Sequence, residues 1–252
     1  MSRTVILSTN DNPDYLKYWP YVSWAWNQLG WNTLLFYLGK NEAIMEEYKQ
    51  VKGHFDADKN QIIHVSHLEG YKDATIVQVA RLFGALCFPD NRMIMTGDID
   101  MIPCSDYWSP REGGITTYGW DLTDRGHFPM CYIAMNAYKW REVMEHKDTF
   151  QSIDLEIKDL LDKYPQAKSD DFDKYWGTDQ DIVTEKLLKQ NLRIDIDRGT
   201  DGHLALGRAD RYDWDGTKNK PNLIDAHMPR PFNLEETKFI LQKCFNKLPG
   251  WI

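Results

Sequence analysis

The stretch Arg92-Met93-Ile94-Met95-Thr96-Gly97-Asp98-Ile99-Asp100-Met101-Ile102-Pro103 sets two carboxylates two residues apart at the end of an apolar run. A short apolar run of this kind reads as a buried strand, and Pro103 stops its ladder. Residues i and i+2 of a strand point to one side. Asp98 and Asp100 are therefore expected to aim together at the carboxyl edge of a core strand, where open α/β sheets bind ligands. Unpaired carboxylates so placed repel each other unless a cation sits between them, and carboxylate oxygens favour Mg²⁺ or Mn²⁺. The plainer alternative is an acidic turn after a strand. Further on, Trp176-Gly177-Thr178-Asp179-Gln180-Asp181 opens a helix. Acidic residues suit the positive end of a helix, which is the plainer account of Asp179 and Asp181 and could be the whole account of one of them. His227 closes the run Leu223-Ile224-Asp225-Ala226-His227, either as a structural histidine or as a metal ligand.

The elements that must position these groups follow from periodicity. Thr4–Ser8 reads as a strand and Thr9-Asn10-Asp11-Asn12-Pro13 as the loop at its carboxyl edge. Asp14 is a candidate cap for a helix to about Gln28, which Pro20 kinks or splits and Gly30 stops. Trp31–Leu38 and Gln61–Val65 read as strands around a helix at Glu42–Val51. The opening 65 residues thus run β-α-β-α-β, the signature of a parallel, doubly wound sheet. A helix over 72–86 has one apolar face of Ile76, Val79, Ala80, Phe83 and Leu86. Gln78 and Arg81 share another face; Arg81 is either solvated there or set to pair with an anion. Residues 113–120 and 130–135 read as strands, 137–146 and 150–164 as helices, and 165–174 as an exposed connector. A helix at Ile182–Gln190, a strand at Leu192–Ile196 and a closing helix from about Leu234 to Asn246 complete the pattern. Asp197–Lys220 reads as a long loop without periodicity, of the kind that forms lids.

The chain of 252 residues is long enough for one large α/β domain, and 42% hydrophobic with 13% aromatic residues argues for a packed core. Thirty basic against 38 acidic residues give a net charge of −8, which speaks against a nucleic-acid surface. Cys87, Cys104, Cys131 and Cys244 form no Cys-x-x-Cys pair and read as free thiols in a reducing compartment. No signal-like start is present, and no apolar run approaches the roughly 20 residues of a membrane span. A cytoplasmic protein is expected. Neither Gly-x-Gly-x-x-Gly nor Gly-x-x-x-x-Gly-Lys-Ser/Thr occurs, so the common dinucleotide and NTP-binding readings lose their main support.

The ordered set Asp98-x-Asp100, Thr178-Asp179-Gln180-Asp181 and Asp225-x-His227 resembles the GT-A glycosyltransferases. It is most similar to retaining enzymes of the glycogenin and lipopolysaccharide-galactosyltransferase kind, and to the small sugar-transferring domains of large algal viruses. The resemblance spans Val5 to about Phe232. It implies a single GT-A domain over 1–252, a Rossmann-like mixed sheet flanked by helices. A nucleotide-binding half ends near residue 103, and the half from 104 completes the metal and acceptor sites. It implies a hexosyl- or deoxyhexosyltransferase using a nucleotide-diphosphate sugar, UDP favoured, and a glycan or glycoprotein acceptor. Asp98, Asp100 and His227 would hold Mn²⁺ or Mg²⁺, Thr9, Asn10 and Asp11 would lie near base and ribose, and Arg81 would reach the donor alongside Asp98. Asp179 and Gln180 would lie beside the transferred sugar, with Asp181 a further catalytic candidate. The late motif here reads His227-Met228-Pro229-Arg230-Pro231 in place of the family's Gly-x-x-Lys-Pro-Trp, and Arg230 is assigned to the diphosphate. The family's Asn-x-Gly is replaced by Ala134-Met135-Asn136-Ala137.

Such chemistry develops negative charge on a diphosphate oxygen and oxocarbenium character on the sugar. A metal and an arginine offset the first, and a carboxylate steadies the second. Retention follows from the resemblance. Tyr118, Trp120, Asp121 and His127 are candidates for an acceptor surface. Two other readings remain: a metal-dependent phosphatase with Asp98 as nucleophile, and a nucleotide-sugar-binding module without catalysis.

Overall fold

The computed structural model describes residues 2–51, 56, 58–108, 110, 114–118, 126–146, 152–190, 194–196 and 207–252. In chain order its main elements are β1 (Arg3–Asn10), α1 (Pro13–Leu16), α2 (Trp19–Gln28), β2 (Asn32–Leu38), α3 (Asn41–Val51), β3 (Asn60–His64), α4 (Asp73–Ala80), β4 (Met93–Thr96), β5 (Met101–Pro103), β6 (Ile115–Thr117) and β7 (Ile133–Asn136). There follow α5 (Ala137–Met144), α6 (Ile153–Leu161), α7 (Phe172–Tyr175), α8 (Thr178–Lys189), β8 (Ile194–Ile196), β9 (Arg208–Ala209), α9 (Trp214–Thr217), β10 (Asp225–His227) and α10 (Leu234–Phe245).

The described strands form a seven-stranded mixed sheet in the order β3-β2-β1-β4-β7-β6-β8 and a small sheet in the order β5-β10-β9. β1 pairs in parallel with both β2 and β4, and β7 runs antiparallel to β4 and β6. Alternate residues of β1 enter two separate cores. Val5 and Leu7 pack with Trp19, Val22 and Trp26 of α2, whereas Ile6 packs with Ile76, Val79 and Ala80 of α4. Covering both faces in this way explains the nearly continuous apolar runs of β1, β2 and β4.

Four local expectations change. The first helix is split, as expected from Pro20, but the break falls just before that proline, with α1 ending at Leu16 and α2 starting anew at Trp19; Asn12, not Asp14, caps α1 by accepting from the Asp14 N–H. The helix expected over 72–86 is α-helical only to Ala80 and continues as a 3₁₀ turn, Arg81–Cys87. The tightening accompanies close approach to β1, for a Cβ on Gly84 would stand 2.6 Å from Ile6 Cγ1. The acidic pair is not on a strand. β4 ends at Thr96, and Asp98 and Asp100 lie in the turn between β4 and β5, so the two-residue strand rule does not govern them. Finally, residues 207–220 of the expected loop are ordered. They hold β9, a 3₁₀ turn at Arg211–Asp213, and α9; residues 197–206 lie outside the described ones.

Candidate functional site

A cavity of about 320 Å³ opens where β1, α4, the β4–β5 turn, α8 and β10 converge. Its lining includes Thr9, Asn10, Tyr15, Gln78, Arg81, Asp98, Asp100, Trp176, Asp179, Gln180, Arg208, Arg211 and His227. The carboxyl end of a parallel strand next to a crossover is where α/β sheets open a crevice, and β1 ends here with Thr9 and Asn10. Asp11 does not line the cavity. It accepts from the Tyr37 hydroxyl and from the Lys40 N–H at 3.0 and 3.2 Å, tying the exit of β1 to that of β2.

Arg81 is the hinge between the helix and the acidic turn. Its guanidinium donates to Asp98 Oδ1, to the Gly97 carbonyl at 3.0 Å and to Asp179 Oδ2 at 2.6 Å. Its side chain is 5% exposed, against 35% for Asp98 and 1% for Asp179. Burial opposes the Arg81 charge, but the two carboxylates hold it firmly protonated. Burial likewise pushes the Asp179 carboxyl up, with Arg81 pulling the other way. Arg81 is thus a buried clamp joining α4, the β4–β5 turn and α8, not a solvated surface residue.

Asp100 faces a different set of cations. Arg211 Nη1 donates to its Oδ2 at 2.7 Å, and His227 Nε2 and Arg230 Nε lie 3.7 and 3.8 Å from the same oxygen. The Met228 N–H donates to the Asp100 carbonyl at 2.9 Å, fastening the turn to the end of β10. One step further in, Arg208 grips the fully buried Asp225 through Nε and Nη2 at 2.9 and 2.7 Å. That fork explains how β9 is held beside β10, and hence how Arg211 is delivered to Asp100. Burial and the Arg211 and Arg208 charges push His227 down to about 4, leaving a neutral imidazole at neutral pH. Arg230 sits over the Tyr15 ring and donates to its hydroxyl, outside the cavity lining itself.

α8 separates the three residues expected from it. Asp179 and Gln180 line the cavity. Asp181 does not: its Oδ1 is 2.9 Å from His127 Nε2, and its Oδ2 accepts from Gln166 at 3.3 Å. Residues i and i+2 of a helix face away from each other, so Asp179 and Asp181 cannot share the site. Of the suggested acceptor surface, Tyr118 is buried with its ring 5.1 Å from Trp108, and His127 is taken by Asp181. Trp120 and Asp121 lie outside the described residues.

The donor set offered to a divalent cation is chemically apt: two carboxylates and a neutral imidazole on one cavity wall. Yet among the described residues no three His, Cys, Asp or Glu side chains are gathered into a ready-made metal site. Arg81 and Arg211 at present balance Asp98 and Asp100. Sequence reasoning missed Arg208, Arg211, Trp176 and Tyr15. For the two arginines a signal existed: they stand three apart in an otherwise featureless loop just before the late strand. Trp176 adjoins the Asp179 motif, and Tyr15 follows Asp14 at the start of the first helix.

The fold is that of known sugar-transferring enzymes. The galactosyltransferase LgtC, solved in complex with donor and acceptor sugar analogs, matches at 14% identity over 98% of both chains with a TM-score of 0.54. An active-site mutant of LgtC matches at 13% with a TM-score of 0.53. The glycosyltransferase GlyE of Streptococcus pneumoniae TIGR4 matches at 13% over 96% of this chain and 60% of its own, with a TM-score of 0.53. No family model matches the chain, and no curated protein matches it in sequence. The shared architecture is the GT-A fold, a central mixed sheet flanked by helices.

Proposed function

We propose that this chain is a metal-dependent glycosyltransferase. It moves a hexosyl or deoxyhexosyl group, with retention, from a nucleotide-diphosphate donor, UDP favoured, to a hydroxyl of a glycan or glycoprotein. The reading is carried by one observation: Thr9, Asn10, Arg81, Asp98, Asp100, Asp179, Gln180 and His227 converge on a single cavity in a fold shared with glycosyltransferases. In this reading residues 1–103 of a single domain hold the nucleotide, and residues 104–252 complete the site. Thr9 and Asn10 face base and ribose. Asp11 supports their loop from behind through Tyr37 and Lys40.

Mn²⁺ or Mg²⁺ held by Asp98, Asp100 and His227 would supply Lewis acidity to the leaving diphosphate. The chain's own cations add to this. Arg211 in the cavity, with Arg230 behind Asp100, supplies hydrogen-bond donors to oxygens that gain charge as the glycosidic bond opens. Asp179 is fixed by Arg81 and by the Gln180 N–H at 2.9 Å; its place is beside the sugar, orienting hydroxyls as the anomeric carbon becomes cationic. Gln180 offers both donor and acceptor to the same ring. No described helix is long and apolar enough to cross a membrane; we assign the protein to the cytoplasm.

The test is a thermal-shift screen of nucleotide sugars with and without Mn²⁺, since a ligand that binds only the folded chain raises its melting temperature. A shift from at least one nucleotide-diphosphate sugar that grows with Mn²⁺ is expected. Asp100→Asn, which keeps an acceptor for Arg211, should lose the Mn²⁺-dependent part. Shifts indifferent to Mn²⁺ in the wild type, or unchanged in Asp100→Asn, overturn the metal assignment. Absence of any nucleotide-sugar shift overturns the transferase reading.

A further inference from the structure

Just upstream of Asp179, the chain presents an aromatic surface that the donor chemistry does not use. α7 is a single helical turn with no buried residue. Phe172 is 54% exposed, an unusual state for a large apolar ring beside a polar cavity. Its ring stacks on Trp176 one turn later, with centroids 5.0 Å apart and planes inclined by 21°. Tyr175 meets Phe172 edge-on at 5.5 Å. Trp176 itself lines the cavity together with Asp179 and Gln180. The two stacked rings therefore form a continuous aromatic path from solvent to the residues assigned to the transferred sugar.

From this we infer that Phe172 and Trp176 form an acceptor subsite that binds the apolar face of a neutral sugar ring. The inference rests on the transferase reading for the identity of the acceptor. Pyranose rings carry one face of C–H groups, which meets the negative face of an aromatic ring favourably. Next to the rings in the chain, Asp170 pairs with Lys72 at 2.7 Å and Asp171 with Lys174 at 3.5 Å, mutually compensated charges that can hydrogen-bond the hydroxyls of a neutral sugar. A nucleobase would also stack, but Thr9 and Asn10 at the end of β1 are the residues placed for the nucleotide.

The test is binding of the full chain to an array of neutral glycans, without donor, beside a separate titration with UDP and Mn²⁺. Phe172→Ala is expected to weaken glycan binding by roughly fivefold to tenfold, the range of an aromatic contact. Phe172→Tyr should retain it, and UDP affinity should stay unchanged in both. Because Phe172 is half exposed, its truncation leaves the core intact, which an unchanged melting temperature verifies. Equal glycan binding by Phe172→Ala, no neutral glycan bound by the wild type, or an equal loss of UDP affinity would each overturn the assignment. Glycan binding is read without donor, so a failure of the nucleotide-sugar screen is scored separately.

Discussion

Replacing Arg81 by methionine removes the one cation that touches Asp179 among the described residues while keeping most of the apolar stem. Asp179 is 1% exposed and, among the described residues, keeps one other bond, from the Gln180 N–H at 2.9 Å. Asp98, at 35% exposure, is screened by water and contributes little to the penalty. Breaking a buried pair from one side costs about 3–5 kcal/mol. Protonation sets an upper bound. Neutralising a carboxyl of pKa about 3.9 at pH 7 spans about three pH units at about 1.4 kcal/mol each, or about 4 kcal/mol. An acid whose folded pKa lies above its unfolded value binds its proton more tightly when folded, so stability rises as the pH falls. In Arg81→Met the loss should shrink from about 4 kcal/mol at pH 7 to about 1.5 kcal/mol at pH 5. Urea denaturation of both proteins at pH 5, 6 and 7 reads this difference directly. Adding Asp179→Asn should recover most of the loss and abolish its pH dependence. A loss below about 1 kcal/mol, or one that does not vary with pH, would refute the clamp.

Three further outcomes follow from buried groups elsewhere. Burial pushes His146 down to about 4 from the ordinary 6.5 of a histidine, while its Nε2 lies 3.1 Å from the Leu82 carbonyl. Its depressed value means stability held above pH 6.5 and lost towards pH 4, by at most about 3 kcal/mol; His146→Gln should flatten that limb of a stability–pH curve. Arg208→Met should cost about 3–5 kcal/mol by stranding Asp225. Arg208→Lys should recover only part, because lysine cannot reproduce the fork; chemical denaturation of both variants decides it. Gly84→Ala should cost about 1–3 kcal/mol by overpacking. Made on top of Ile6→Ala, which removes the Cγ1, Cδ1 and Cγ2 atoms the new methyl would meet, Gly84→Ala should cost less in the same measurement.

The first half of the fold was legible because its strands are buried on both faces and its helices on one, so period and apolarity identify them without long-range information. The Asp98 and Asp100 pair was legible as chemistry but not as geometry. The strand rule supposed that the two carboxylates share a face because they are two apart; they share a cavity because a turn after Thr96 sends one to Arg81 and the other to Arg211. The same rule, carried onto α8, would have kept Asp181 beside Asp179, where helical spacing turns it to His127. What local pattern cannot show is a partner about a hundred residues away. Arg81 meets Asp179 across 98 positions, and Arg211 meets Asp100 across 111.

Those distant partners change how the site must work. Arg81, Arg208, Arg211 and Arg230 stand against Asp98, Asp100, Asp179 and Asp225, so the site is close to neutral within a chain of net charge −8. In the proposed reaction, a donor diphosphate and a divalent cation arriving together would preserve that neutrality, whereas either alone would not. The order of preference expected of it is therefore the metal–nucleotide pair over free nucleotide or free metal. The exchange would fall on Asp100 and Arg211, whose mutual bond would have to loosen for the carboxylate to meet the metal and the guanidinium to meet the phosphate. Arg208 and Asp225, buried and forked, have no such reason to part and keep β9 in register while the exchange occurs.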